Sequence, residues 1–442
     1  MTTVEKLKGY LKEINKNEKN GNKINAFIFL RSEAELLSEA KKIDEKIKKG
    51  EAGVLGGKIF AVKSCINVFG LPVTCASRTL EDYKGTYDAT AIKRIRKEDG
   101  LIIGMANMDE FASGSSGETS AFGPTNNPVA LGRVPGGSSS GSVAAVAANF
   151  CDVALGTDTG GSIRNPASHC GVVGLKPSYG LVSRYGLIDL SMSLDQIAPV
   201  GKEVMDVALV LSVIAGRDES DPISFESKKI DLEKIKQIPK KMNIGILDIK
   251  ISDNRIWEGI KEKVEIACKK YGWKSKRISI PFIDLAIETY YPLIYTEFFS
   301  GTRKFDGRRY GKKIEDSAGV EVLRRILGGE EITKAEYGGR FYHKSLMIKK
   351  MFEKEFLKAF EEVDCIILPS VPRLPHKIGE EISVEDMYGY DSVTIPANLV
   401  GNCSVSIPCG RLDNIPYGMQ IMCNKLEDEK MLSIAKSFEQ LD

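Results

Sequence analysis

Two short turns rich in glycine and serine, Gly136-Gly137-Ser138-Ser139-Ser140-Gly141 and Gly160-Gly161-Ser162, hold the residues whose types and spacing offer chemistry. Serine hydroxyls on tightly bent backbone can act as nucleophiles. Main-chain N–H groups in such turns can converge on a small ligand, because glycine tolerates the positive φ that the bend needs. Together these are the parts of an acyl-transfer site with an oxyanion pocket. A serine is a poor nucleophile until a base takes its proton. The whole imidazole supply is His169, His343 and His376. His343 falls in a charged helical stretch and His376 in a proline-flanked loop, while His169, near the second turn, reads as structural. The base is then a lysine. Lys63 ends the apolar run Ile59-Phe60-Ala61-Val62, where burial with few acidic neighbours lowers an amine from its usual pKa of about 10.4 by several units.

Two competing motifs fail on context. Gly137 to Gly141 fits G-x-S-x-G with Ser139 central, but Ala130-Leu-Gly-Arg-Val-Pro135 is a poor strand to lead into it and no histidine follows in place. Gly57-Lys58 is no phosphate loop, because Ala52 replaces its first glycine and Ile59 its hydroxyl residue.

The elements that must position these residues read as an α/β domain. The small-residue run Gly141 to Ala148 predicts a buried helix between the two turns, and Val153 to Leu155 a short strand. A basic amphipathic helix over 88–99 precedes a buried strand at Leu101 to Met108, so strand and helix alternate. Residues 1–50 read as polar helices forming an N-terminal arm. Residues 217–361 read as a region inserted within the core: a charged connection (217–241), a strand from Met242 to Leu247, a helix from Arg255 to Tyr271, then helical segments to about 361. Cys365 to Pro369, Cys403 to Pro408 and Gly418 to Cys423 are strands returning to the sheet, and Glu427 to Leu441 is a closing helix.

Composition narrows the function. The 442 residues are 42% hydrophobic and 28% charged, and 62 basic against 60 acidic side chains leave a net charge of +2, so no broad polyanion-binding face is expected. Nine scattered cysteines without a Cys-x-x-Cys pair argue against a disulfide framework and a zinc site. With no apolar core of a signal peptide near Met1 and no long apolar run, a cytoplasmic location is expected.

Lys63 after its apolar strand, the 136–141 turn and Gly156-Thr-Asp-Thr-Gly-Gly-Ser-Ile-Arg-Asn-Pro-Ala167 together resemble the amidase signature family over essentially the whole chain. Ser138 and Ser162 stand 24 positions apart, the spacing usual in that family. The resemblance implies a single amidase domain over 1–442, with a central mixed twisted sheet covered on both faces by helices. It implies Ser162 as nucleophile, Ser138 as the bridging serine after a cis peptide, Lys63 as neutral base, and the N–H groups of Thr159, Gly160, Gly161 and Ser162 as oxyanion hole. Asp158 and Arg164 can pair to brace the turn.

Asn107 to Ala112, Ser120 to Thr125, Arg184 to Leu187, Ser193 to Ile197 and Phe305 to Tyr310 are similar to stretches in the branch that supplies the glutaminase component of tRNA-dependent amidotransferases. That likeness implies glutamine as substrate, with Arg325 for its α-carboxylate, Asp391 for its α-ammonium and Tyr290 or Tyr291 in contact with it. It implies partner B and C subunits, with ATP and magnesium used by the partner and no metal or cofactor in this chain. Misacylated Glu-tRNA(Gln) or Asp-tRNA(Asn) would be contacted mainly through the B subunit. Ser140, Val143 and Gly401-Asn-Cys-Ser404 depart from the commoner family pattern. A stand-alone amidase acting on other carboxamides is the alternative.

Overall fold

Short apolar runs, too brief for helices, make the middle of the molecule. The computed structural model describes residues 1–19 and 23–441. Its strands are β1 (Phe27–Leu30), β2 (Ile59–Lys63), β3 (Leu101–Ala106), β4 (Val153–Thr157), β5 (Val173–Lys176), β6 (Ile197–Gly201), β7 (Asn243–Leu247), β8 (Lys274–Ile278), β9 (Cys365–Pro369), β10 (Ser404–Leu412) and β11 (Ile415–Met422). They form one sheet in the order β1-β3-β2-β4-β6-β5-β10-β11-β9-β7-β8. β3, β2 and β4 run parallel, as do β9, β7 and β8, while the strands between β4 and β9 pair antiparallel. The sheet is mixed and flanked by helices, as expected.

Alternation along β2 shows how both faces are buried. Ile59 and Ala61 join a core with Leu7, Leu36, Val143 and Ala167, from the helices Thr3–Lys19, Glu33–Lys49, Ser140–Ala147 and Arg164–Cys170. Phe60 and Val62 join the opposite core with Ile92, Val207 and Leu432, from the helices Thr90–Lys97, Val204–Ile214 and Asp428–Glu439. Side chains two apart on a strand share a face, so Lys63 leaves β2 on the side of the Ser140–Ala147 helix, next to the first serine turn.

Two strands depart from the sequence reading, and a third, which that reading did not assign, carries a proline. The arm at 1–50 is not wholly helical, because Phe27–Leu30 pairs antiparallel with β3 at the sheet edge. Four apolar residues are too few to display a period. β8 falls where helix was expected, and its Lys-Ser-Lys-Arg is exposed; it pairs with β7 at the other edge, and those charges blunt the edge against further pairing. β6 contains Pro199, which argues against a strand between two neighbours, but its ladder to β5 ends at Gly174↔Val200, one residue short of the proline. Among the described residues no helix is long and apolar enough to cross a membrane.

Candidate active site

Lys63 is wholly buried at the end of β2. Its Nζ lies 2.8 Å from Ser138 Oγ, 3.0 Å from Ser139 Oγ and 2.7 Å from Thr157 Oγ1. Burial pushes the amine pKa down, against the pull of Cys65, Asp109, Asp195 and Asp158, and burial prevails. The contacts suit a neutral amine, which has two N–H groups and one lone pair. Ser139 gives its hydrogen to the Thr157 carbonyl at 3.0 Å, so toward Lys63 it can only accept. With Ser139 and Thr157 taking the two N–H groups, the lone pair is left to Ser138, in position to receive its proton.

The two serine turns lie against each other, since the Ser139 N–H donates to the Ser162 carbonyl at 3.0 Å. The Gly137–Ser138 peptide is cis. Behind it, Asp109 donates its N–H to the Ser138 carbonyl at 3.1 Å, and its carboxylate accepts from the N–H groups of Gly117 and Thr119. Ser162 is 5% exposed, and its hydroxyl has no hydrogen-bond partner among the described residues. The structure therefore joins Lys63 to Ser138 directly and brings Ser162 alongside, without a hydrogen bond between the two serines.

Main-chain groups supply the electrophilic side. The N–H groups of Thr159, Gly160, Gly161 and Ser162 find no acceptor among the described residues. Buried amides are almost always paired, so four successive unpaired ones beside a nucleophile form a donor set suited to an anion. Three supports hold this turn. Thr159 Oγ1 donates to Asp195 at 2.6 Å, and Thr394 Oγ1 donates to the Gly160 carbonyl at 2.6 Å. Gly161, at φ 143°, leaves no room for a side chain, because a Cβ there would fall 2.1 Å from Thr394 Oγ1. Beneath them Asp158 and Arg164 pair through two bonds of 3.0 and 2.9 Å, both side chains fully buried. Burial alone would raise the Asp158 carboxyl; Arg164 beside it holds it at about 2. The brace expected from the sequence is thus a desolvated ion pair, and Arg164 also reaches the Thr394 carbonyl, Asn398 and Gln420.

The residues expected at the amino-acid end of a substrate form the adjoining wall. Tyr290 packs on the turn so closely that a Cβ at Gly160 would lie 2.6 Å from its hydroxyl. Tyr291 faces the other way, under Arg325, whose guanidinium carbon is 6.0 Å from the ring centre. Asp391 lies beside Gly161, with Asn165 Nδ2 at 3.5 Å. Burial raises its carboxyl pKa to about 8, as befits an acid without a fixed cation. The histidines stay outside this set. His169 is buried, its pKa lowered by burial to about 4, with Nε2 on the Arg373 carbonyl. His376 bonds Glu118 and Tyr390, and His343 is exposed. No group of three metal-binding side chains occurs among the described residues.

Several groups in the site were not singled out from sequence. Thr157 and Asn165 lie inside the Gly156–Ala167 stretch and were open to detection as polar residues of a glycine turn. Thr394, Asn398 and Gln420 come from segments 230 or more residues beyond Arg164, and no local pattern marks them.

Comparison with known proteins places this geometry. A family model described as Amidase matches residues 7–432. The A subunit of the glutamyl-tRNA(Gln) amidotransferase from Methanococcus maripaludis strain C6 is 50% identical over 437 residues, 98% of this chain and 99% of that protein. Its counterpart of the same name from Methanocaldococcus jannaschii is 49% identical over 99% of both chains. Among solved structures, the A subunit of the Thermotoga maritima glutamyl-tRNA(Gln) amidotransferase superposes with a TM-score of 0.83 at 35% identity, covering 100% of this chain and 94% of that one. A peptide amidase from Stenotrophomonas maltophilia gives 0.83 at 26% identity, with coverage of 100% and 94%. A buried lysine on a serine pair, an unpaired N–H turn and an end-to-end match in sequence and fold agree: this chain belongs to the amidase family.

Proposed function

We propose that this chain is the glutaminase subunit of a tRNA-dependent amidotransferase. Lys63 takes the Ser138 proton as Ser138 takes that of Ser162, and Ser162 Oγ attacks the side-chain carboxamide carbon of glutamine. The carbonyl oxygen, now negative, collects in the N–H groups of residues 159–162. As the carbon–nitrogen bond breaks, the Lys63 proton returns through Ser138 to the leaving nitrogen and ammonia departs. Water then attacks the Ser162 ester by the same relay and glutamate is released. Arg325 takes the α-carboxylate, Asp391 the α-ammonium, and Tyr290 and Tyr291 fill the space between.

The observation that carries this reading is the pairing of a buried cation and a buried, cation-free carboxylate on one wall beside the nucleophile. Such a wall fits a free amino acid better than a simple amide. The relatives near 50% identity are A subunits of glutamyl-tRNA(Gln) amidotransferases, whereas the peptide amidase stands at 26%, which counts against a stand-alone amidase. By that likeness the ammonia passes to a B subunit that activates the tRNA-linked carboxylate with ATP and magnesium, with a small C subunit in the assembly. Glu-tRNA(Gln) is the first acceptor to test and Asp-tRNA(Asn) the second. In the reconstituted complex, Ser162→Ala is expected to lose glutamine-dependent transamidation and to keep the ammonia-dependent reaction. Undiminished glutamine hydrolysis by that variant would overturn the proposal.

A further inference from the structure

Arg325 emerges from the helix Val320–Ile332 with one fixed partner. Among the described residues its side chain bonds only Glu321, one turn earlier, through Nε at 2.9 Å, and both residues are buried. The four N–H bonds on its two terminal nitrogens are uncommitted. A guanidinium swings about its Cδ–Nε bond, and tethering Nε in the plane of a carboxylate stops that swing, leaving the terminal pair as a preset fork for a second carboxylate.

Glu321 is itself held. Its Oε1 also accepts from the Tyr388 hydroxyl at 3.3 Å, and Oε2 pairs with Arg324. The Tyr388 hydroxyl also lies 2.7 Å from that of Tyr295. The Tyr388 ring lies on Tyr291, centroids 4.0 Å apart and planes within 22°. Tyr388 belongs to the short helix Val384–Gly389, tied to the loop after β3 through Ser115 Oγ and the Met387 carbonyl at 2.8 Å. Glu321 thus offsets the charge of Arg325 within the wall, and Tyr388 fixes Glu321 from the opposite side.

We infer that Glu321 and Tyr388 are positioning residues that orient Arg325 for the α-carboxylate of the substrate and so select a free amino acid over a carboxamide lacking that group. The inference rests on the glutaminase reading above. The test is steady-state glutamine hydrolysis by the assembled complex with Glu321→Gln and with Tyr388→Phe. Removing the charged tether should raise KM for glutamine about tenfold while kcat falls less than about threefold; Tyr388→Phe should raise KM by about threefold. Inhibition by glutamate, which has the same α-carboxylate, should weaken by matching factors. If Glu321→Gln fails to fold, the Tyr388→Phe result decides. A KM and a glutamate inhibition constant unchanged in a folded variant, or a loss confined to kcat, overturns the clamp while the glutaminase reading stands. A wild-type complex that releases no glutamate from glutamine overturns both.

Discussion

The reacting corner and the substrate wall are built on different principles. At the corner, Lys63 and Thr157 close the strands β2 and β4, and Ser138 and Ser139 sit in the turn that leads into the small-residue helix. Main-chain N–H groups complete it. On the wall, Arg325, Tyr290 and Tyr291 are long side chains from two helices and Asp391 stands in the turn after a third, and Arg325 and Tyr291 are aligned by one another and by Glu321 and Tyr388. Proton transfer needs distances fixed to within about a few tenths of an ångström, which backbone supplies. Recognition of a charged amino acid needs oriented charges in a dry pocket, which side-chain networks supply.

If that division holds, breaking the corner must cost far more than breaking the wall. Ser162→Ala is expected to lower kcat for glutamine hydrolysis by about 10⁴-fold or more with glutamine binding retained, measured by single-turnover kinetics and calorimetry. A wall residue should act on binding instead. Arg325→Met is expected to lower kcat/KM by about 100-fold, mostly through KM, as two charge-assisted hydrogen bonds are lost. A fall of similar size in both variants, both in kcat, would erase the distinction.

The brace under the oxyanion turn gives a stability test. Asp158→Asn leaves Arg164 buried without its counter-charge, and about 3–5 kcal/mol of unfolding free energy should be lost, read from denaturant or thermal unfolding. Because the folded carboxyl is held at about 2, the pair's contribution is present above the unfolded value near 4 and fades as pH falls from there toward 2.

The smallest effect expected is a pH dependence at the wall. Asp391 has its carboxyl raised to about 8, so the folded protein binds a proton there that the unfolded chain has lost above about pH 4; its stability contribution shrinks as pH rises toward 8. An ammonium ligand needs the ionised form. KM for glutamine should therefore fall by up to about 50-fold between pH 6 and pH 8, and Asp391→Asn should flatten that slope and leave KM high at pH 8. Lys63 acts on kcat, so the two titrations separate in kcat and KM profiles.

The same contrast explains what was legible in the sequence. Gly136 to Gly141 and Gly156 to Ala167 are contiguous because turns built from main chain must be, and Lys63 was visible as a charge closing an apolar strand. Arg325, Asp391 and the tyrosine pair became visible only through a family likeness, since nothing local separates Arg325 from Arg324 beside it. Glu321, Tyr388 and Thr394 left no trace, because their value lies in which distant atoms they meet. In the fold, the buried strands β2, β3, β4 and β9 announced themselves by composition. Charged β8, four-residue β1 and proline-bearing β6 owe their state to the neighbours they pair with, which no window of sequence contains.

The strands β1 to β11 form one uninterrupted ladder in which β9, late in the chain, lies between β11 and the earlier β7. A protease nick near residues 217–241 would leave β1 to β6 in one piece and β7 to β11 in the other, each a contiguous half of the sheet. The two pieces would meet along the sheet only at the β5–β10 ladder, with the helix Arg164–Cys170 of the first packed on β10 and β11 of the second, so that one seam decides whether the nicked molecule melts in one step or two.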